Sequence, residues 1–161
     1  MVIGFTGTRQ GMTPAQRHTL LRVFQRFGIS VLHHGGAPGA DEQAHEIAQS
    51  LDAQIIEHPS THKQRGVCPL QPGDYRLTAF APLVRNKYIV NDCARLVATP
   101  AQEHPILRSG TWATVRYAMR AKRRAWIVVP DGALIYLTQD TLYQWIWTRK
   151  NIEEDACCLS L

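Results

Sequence analysis

Five short apolar runs, each closed by glycine or polar residues and separated by stretches with helical spacing, restrict this chain more than any other feature. The runs occupy residues 2–6, 29–33, 53–59, 95–100 and 125–130. After the first, Thr13 can cap a helix, Pro14 suits its first position and Gln16 completes a capping box. Leu20, Val23, Phe24 and Phe27 then make one apolar face before Gly28 ends it. Ala44, Ile47, Ala48 and Leu51 give a second inward face, and Leu83, Tyr88, Ile89 and Cys93 a third within 83–94. Strands that alternate with helices need crossover connections, and crossovers make parallel sheets. The expected class is therefore α/β: three layers, a mostly parallel sheet of about five strands, helices on both faces. A last helix is expected over about 138–148, carrying Leu142, Tyr143, Trp145, Ile146 and Trp147, dense enough in aromatics to suggest a core anchor or a self-association surface. Residues 60–78 lose periodicity and gain prolines, which predicts a long loop with little regular structure.

The 161 residues fit one domain, placed at 1–150, with 151–161 as a C-terminal tail. Hydrophobic residues make up 45% and charged residues 19%, the balance of a globular protein. No apolar run approaches the ~20 residues of a membrane span, and no basic segment leads into a signal-type apolar core. A cytoplasmic location without a membrane partner is the default expectation. Eighteen Lys and Arg against thirteen Asp and Glu leave a charge of +5, which favours anionic partners, nucleotides or nucleic acid. Arg116, Arg120, Lys122, Arg123 and Arg124 concentrate that excess, either as a phosphate-facing patch or as the solvated face and last turn of one helix. Cys68, Cys93, Cys157 and Cys158 form no CxxC pair and have no histidine at ligand spacing, so they read as free thiols, with Cys93 in the core. Neither a metal site nor a cofactor is expected.

Polar or glycine segments follow every run: Gly7-Thr8-Arg9, the stretch 35–41, His58-Pro59, Thr99-Pro100 and Asp131-Gly132. In a parallel sheet these converge on the carboxyl edge, where open α/β folds bind ligands. The stretch 108–117 adds Ser109, Gly110, Thr111 and Thr114 at the start of a helix, which suits a phosphate or ribose, or is simply a helix capped by Ser109. Neither GxGxxG nor GxxxxGK[ST] occurs, which disfavours a conventional NAD dehydrogenase or P-loop ATPase. His33 and His34 lie at a strand end beside the glycine loop, and His45 could pair with Asp41 one helical turn away.

Residues 4–9 (GFTGTR), 34–41 (HGGAPGAD), 85–90 (RNKYIV) and 109–111 (SGT), in this order, resemble the SLOG superfamily. This Rossmann-like group includes the Lonely Guy phosphoribohydrolases, the DNA-processing protein A family and nucleotide-ligand sensors. The resemblance spans about residues 2–132. It implies a ligand site formed by Gly7, Thr8, Arg9, Gly35, Gly36, Asp41, Arg85, Asn86, Ser109, Gly110, Thr111 and Thr114. It also implies dimers or higher homo-oligomers. The hydrolase branch carries a catalytic glutamate where this chain has Thr114, and a threonine cannot replace an ionised carboxylate at an oxocarbenium-like centre. Asp41 is the weak candidate for a substitute, with a helix-capping role as its alternative. The leading expectation is thus binding of a nucleotide or nucleotide-derived phosphate ligand. N-glycosidic hydrolysis of a nucleoside monophosphate, and single-stranded nucleic acid binding of the DNA-processing type, are the other two.

Overall fold

A computed structural model of the chain describes residues 1–62, 69–139 and 145–150. The elements are β1 (Val2–Gly7), α1 (Pro14–Phe27), β2 (Val31–His34), α2 (Ala40–Gln49), β3 (Gln54–Glu57), β4 (Tyr75–Arg76), α3 (Pro82–Asn91), β5 (Arg95–Thr99), α4 (Gly110–Arg120), β6 (Ala125–Val128), β7 (Leu134–Gln139) and β8 (Trp145–Lys150). They form one sheet in the order β4-β3-β2-β1-β5-β6-β7-β8. All pairs are parallel except β6–β7 and β7–β8.

Alternation along the strands divides the core in two. Ile3, Phe5, Leu32, Val97, Trp126 and Val128 pack beneath α1 and α2 with Leu20, Phe24, Ala44 and Ala48. Leu96, Ala98, Ala125 and Ile127 face the other way, beneath Ile89 and Val90 of α3 and Trp112, Val115 and Ala118 of α4. Thr13 caps α1 in a reciprocal capping box with Gln16, and Gly28 ends the helix, as the sequence predicts. Gln16 does more than cap: its side-chain amide donates to the carbonyls of Pro100 and Val128, tying α1 to the ends of β5 and β6. Cys93 is buried against Gly4, where a Cβ would lie 2.7 Å from the cysteine sulfur.

The expected terminal helix is not formed. Residues 134–139 and 145–150 are instead two antiparallel strands, joined to β6 through the turn at Asp131-Gly132. Leu142 and Tyr143 lie outside the described residues, as do Cys68, Cys157, Cys158 and the tail. The physical reason is two-sided burial. Leu134 and Tyr136 face one half of the core while Ile135 and Leu137 face the other, so the first four positions of β7 are apolar in succession and show no period of two. The sheet consequently has eight strands rather than five. The described residues of the stretch 60–78 are mostly irregular, but β4 and a bridge between Ser60 and Phe80 lie among or beside them. Among the described residues no helix is long and apolar enough to cross a membrane.

Candidate functional site

The sheet runs outward in both directions from β1, to β2 on one side and to β5 on the other. The crossovers therefore diverge between β1 and β5, leaving a crevice at the carboxyl ends of the strands. A cleft of about 430 Å³ opens there. It is lined by the loop after β1 (Gly7, Thr8, Arg9, Gln10), by Asp41 of α2, by Arg85 and Asn86 of α3, and by Arg108, Ser109, Gly110 and Thr111 leading into α4. Nine of the twelve residues expected at a site thus share one cleft. Gly35, Gly36 and Thr114 do not line it.

Each of those three has a local reason. A Cβ on Gly35 would lie 1.3 Å from the guanidinium of Arg85, so the space that glycine leaves is filled by this chain's own arginine. Gly36 donates its N–H to Nδ1 of His34 and packs on the carboxylate of Glu57. Thr114 is buried between helices: Asn86 donates to its hydroxyl (2.7 Å), which donates to the Gly110 carbonyl (2.9 Å).

Asp41 does not cap α2, which begins at Ala40 after Gly39, and it does not pair with His45. Its Oδ2 accepts the N–H groups of Gly35 (3.0 Å) and Ala37 (3.3 Å). A glycine loop ahead of a helix ordinarily offers such donors to a bound anion. Here they are turned onto a carboxylate of the chain, and Ala40 N–H, at the helix start, donates to the Thr8 carbonyl (3.0 Å). Burial raises the Asp41 pKa, opposed by the positive charge of Arg85 and by backbone donors. Burial lowers that of Arg85, with Asp41 counteracting and Arg9 reinforcing. Arg85 Nε is buried without a hydrogen-bond partner among the described residues.

The start of α4 is different. Ser109 caps it, accepting the Trp112 N–H, and no acidic residue occupies its first turn. Gly110 and Thr111 have no intrahelical acceptor for their N–H groups and border the cleft. The wall opposite, residues 101–108, is fastened by Arg116, whose guanidinium donates to the carbonyls of Ile106 (3.1 Å) and Leu107 (3.0 Å). Arg123 likewise donates to the Asn91 carbonyl. Two members of the basic cluster therefore hold backbone in place.

Behind the glycine loop lie two histidine pairs. His34 accepts from Gly36 through Nδ1, so its hydrogen sits on Nε2 and is donated to Nδ1 of His45, 3.1 Å away. His33 Nδ1 and His58 Nε2 are 2.8 Å apart. Burial, the mutual repulsion of the rings and the nearby Arg85 push His34 down to about 3; burial and His33 push His58 down to about 4.

Sequence reasoning missed Thr6, Gln10, Gln102, Ile106 and Arg108 as lining residues. Arg108 could have been found, because it immediately precedes the capped start of α4. Gln102 and Ile106 carry no signal in a loop without periodicity.

The same fold occurs in a molybdenum cofactor binding protein from the phototrophic bacterium Rippkaea orientalis (TM-score 0.60, 20% identity, 79% of this chain and 75% of that one). It occurs also in DNA processing protein A from Streptococcus pneumoniae (TM-score 0.59, 19% identity, 78% of this chain and 49% of that one). DNA processing protein A from Helicobacter pylori, described for its single-stranded DNA binding mode, is similar too (TM-score 0.54, 20% identity, 78% and 63%). The chain spans about half of the Streptococcus protein and somewhat under two thirds of the Helicobacter one. No protein-family model matches the sequence, and no curated protein is significantly similar to it. The likeness is one of fold: the chain shares the Rossmann-like α/β architecture of these proteins.

Proposed function

We propose that the cleft binds a nucleotide or nucleotide-derived phosphate ligand, with a phosphate at the start of α4. The observation that carries this reading is the contrast between the two helix starts. That of α2 is filled by Asp41 and Thr8, whereas that of α4 borders the cleft at Gly110 and Thr111, whose N–H groups have no intrahelical acceptor. Arg9, Arg85 and Arg108 against the single carboxylate of Asp41 make the lining cationic. Hydrolysis through Asp41 is disfavoured, since one of its oxygens already accepts two loop N–H groups.

A thermal-shift panel of nucleoside mono-, di- and triphosphates and ADP-ribose tests the proposal. At least one is expected to raise the melting temperature, and Arg108→Ala to weaken its binding by about tenfold or more, the worth of one charge-assisted hydrogen bond. Arg120→Ala, away from the cleft, serves as the control. No stabilisation by any member of the panel would count against the reading.

The second reading is single-stranded nucleic acid binding, favoured by the likeness to two DNA processing proteins and by Arg9 and Arg108 at the rim of the cleft. It differs in salt dependence: oligonucleotide affinity would fall steeply with ionic strength, roughly one power of salt per phosphate contact.

Self-association is expected through a surface other than the terminal segment. Tyr75, Leu77, Phe80, Leu83, Val84 and Tyr88 are exposed together along β4 and α3, with Phe80 stacked on Tyr88. Exposed apolar patches of this kind mark interaction surfaces. Light scattering should give a mass of at least two chains, and Val84→Glu should lower it to one; a wild-type monomer at micromolar concentration would reject the expectation.

A further inference from the structure

A second cluster lies away from the cleft, toward the opposite end of α3. His33 belongs to β2 and pairs in register with Ile56 of β3. His58 follows β3 by one residue, and its N–H donates to the His34 carbonyl, so the ladder continues through it. Being two residues beyond Ile56, His58 projects from the same face of the sheet as His33. Asp92 terminates α3, which covers that face, and is about 10 Å along the helix from Arg85.

One ring nitrogen from each histidine and one carboxylate oxygen of Asp92 all lie within 4.8 Å of one another. Both rings are buried, while Asp92 is exposed. We propose that His33, His58 and Asp92 bind a divalent transition-metal ion of the zinc type, with the remaining coordination positions open to solvent beside Asp92.

Imidazole nitrogen and carboxylate oxygen are the donors that zinc and its neighbours select. Bonds of about 2.0–2.1 Å at tetrahedral angles place ligand atoms about 3.3–3.4 Å apart. The two nitrogens, now 2.8 Å apart, need to spread by about half an ångström. Asp92 needs to close by no more than about 1.5 Å, within the reach of a rotamer change at an exposed side chain. The histidines are fixed in advance by paired strands, so little ordering entropy opposes binding. In the metal-free chain one ring donates its hydrogen to the other. Coordination requires that this ring carry the hydrogen on its other nitrogen, with no net gain or loss of protons. Three ligands from three segments leave room for water or a substrate atom, the arrangement of an open site rather than a closed structural one.

The experiment uses the full chain, stripped of metal, in a Cys157→Ser/Cys158→Ser background, because adjacent thiols bind the same ions. Cobalt(II) is titrated and its d–d absorption recorded, then displaced by zinc, whose binding is also measured by calorimetry. One equivalent is expected. Asp92→Asn, an exposed change that leaves the core untouched, should weaken zinc by at least about tenfold. His58→Gln should abolish the cobalt spectrum, and a double variant of the exposed His18 and His104 should leave it intact. Absence of a cobalt spectrum in the starting protein overturns the proposal. So does an affinity unchanged by Asp92→Asn in a chain shown by circular dichroism to be folded.

Discussion

Gly39→Ala is expected to destabilise the protein by about 3 kcal/mol or more. Gly39 precedes α2 at φ 89° and ψ −117°, a conformation that an L side chain rarely adopts. Holding a non-glycine residue in such a region costs about 1–3 kcal/mol. Space is the second obstacle. A Cβ there would lie 2.4 Å from the Arg9 carbonyl oxygen and 2.9 Å from the Gly11 nitrogen. Both are backbone atoms, and the Thr8 carbonyl beside them is held by the N–H groups of Ala40 and Gly11, so the loop cannot swing aside. Overpacking of this kind adds about 1–3 kcal/mol. Gly35→Ala is the informative comparison, because its Cβ meets the far end of a flexible side chain, the Arg85 guanidinium, rather than backbone. Urea unfolding should therefore rank Gly39→Ala well below Gly35→Ala, whereas ligand affinity should fall in both as Arg9 or Arg85 moves. A Gly39→Ala stability within about 0.5 kcal/mol of wild type would refute the account.

Stability should also fall steeply with mild acid, measured in EDTA to keep the histidines metal-free. His34 ionises near 6.5 when unfolded but is pushed down to about 3 in the fold, where protonating Nδ1 would break its bond from Gly36 and place a cation near Arg85. Below 6.5 the unfolded chain therefore binds more protons than the native one. The contribution of His34 is fully present above about pH 6.5 and is lost progressively as pH falls toward about 3. Its loss approaches about 1.4 kcal/mol per pH unit within that window. His58, lowered to about 4, and His33 and His45, lowered by burial, steepen the same trend. Urea midpoints at about pH 7.5 and pH 5 should differ clearly, and His34→Gln should flatten the slope even if it lowers stability overall. Equal midpoints for the wild type would contradict buried neutral histidines.

The elements that were legible in the sequence owe this to local chemistry. Thr13, Pro14, Gln16 and Gly28 bracket α1 through bonds made within a few residues, and Ser109 caps α4 in the same way. The parallel half of the sheet followed from alternation alone, since strands separated by helices have few other ways to pack. From that topology came the convergence of the loops after β1 and β5, and hence most of the cleft. The end of the chain was not legible. Two-sided burial removed the alternation that marks a strand, although Asp131-Gly132 between two apolar runs is a hairpin signal that outweighs the aromatic density beyond it.

By itself, then, the sequence determined an α/β sheet with its loops gathered at the carboxyl edge of β1 and β5. The tertiary structure decided what those loops do with their donors. Asp41 takes the N–H groups of one glycine loop, Arg85 fills the space over Gly35, Thr114 joins α3 to α4, and the start of α4 borders the cleft with its Ser109 cap. It also brought His33, His58 and Asp92 within reach of one another from three separate segments. Spacing in a sequence records neighbours along the chain, whereas a carboxylate filling an anion nest, or three ligands meeting across a sheet and a helix, is a fact of register and crossover.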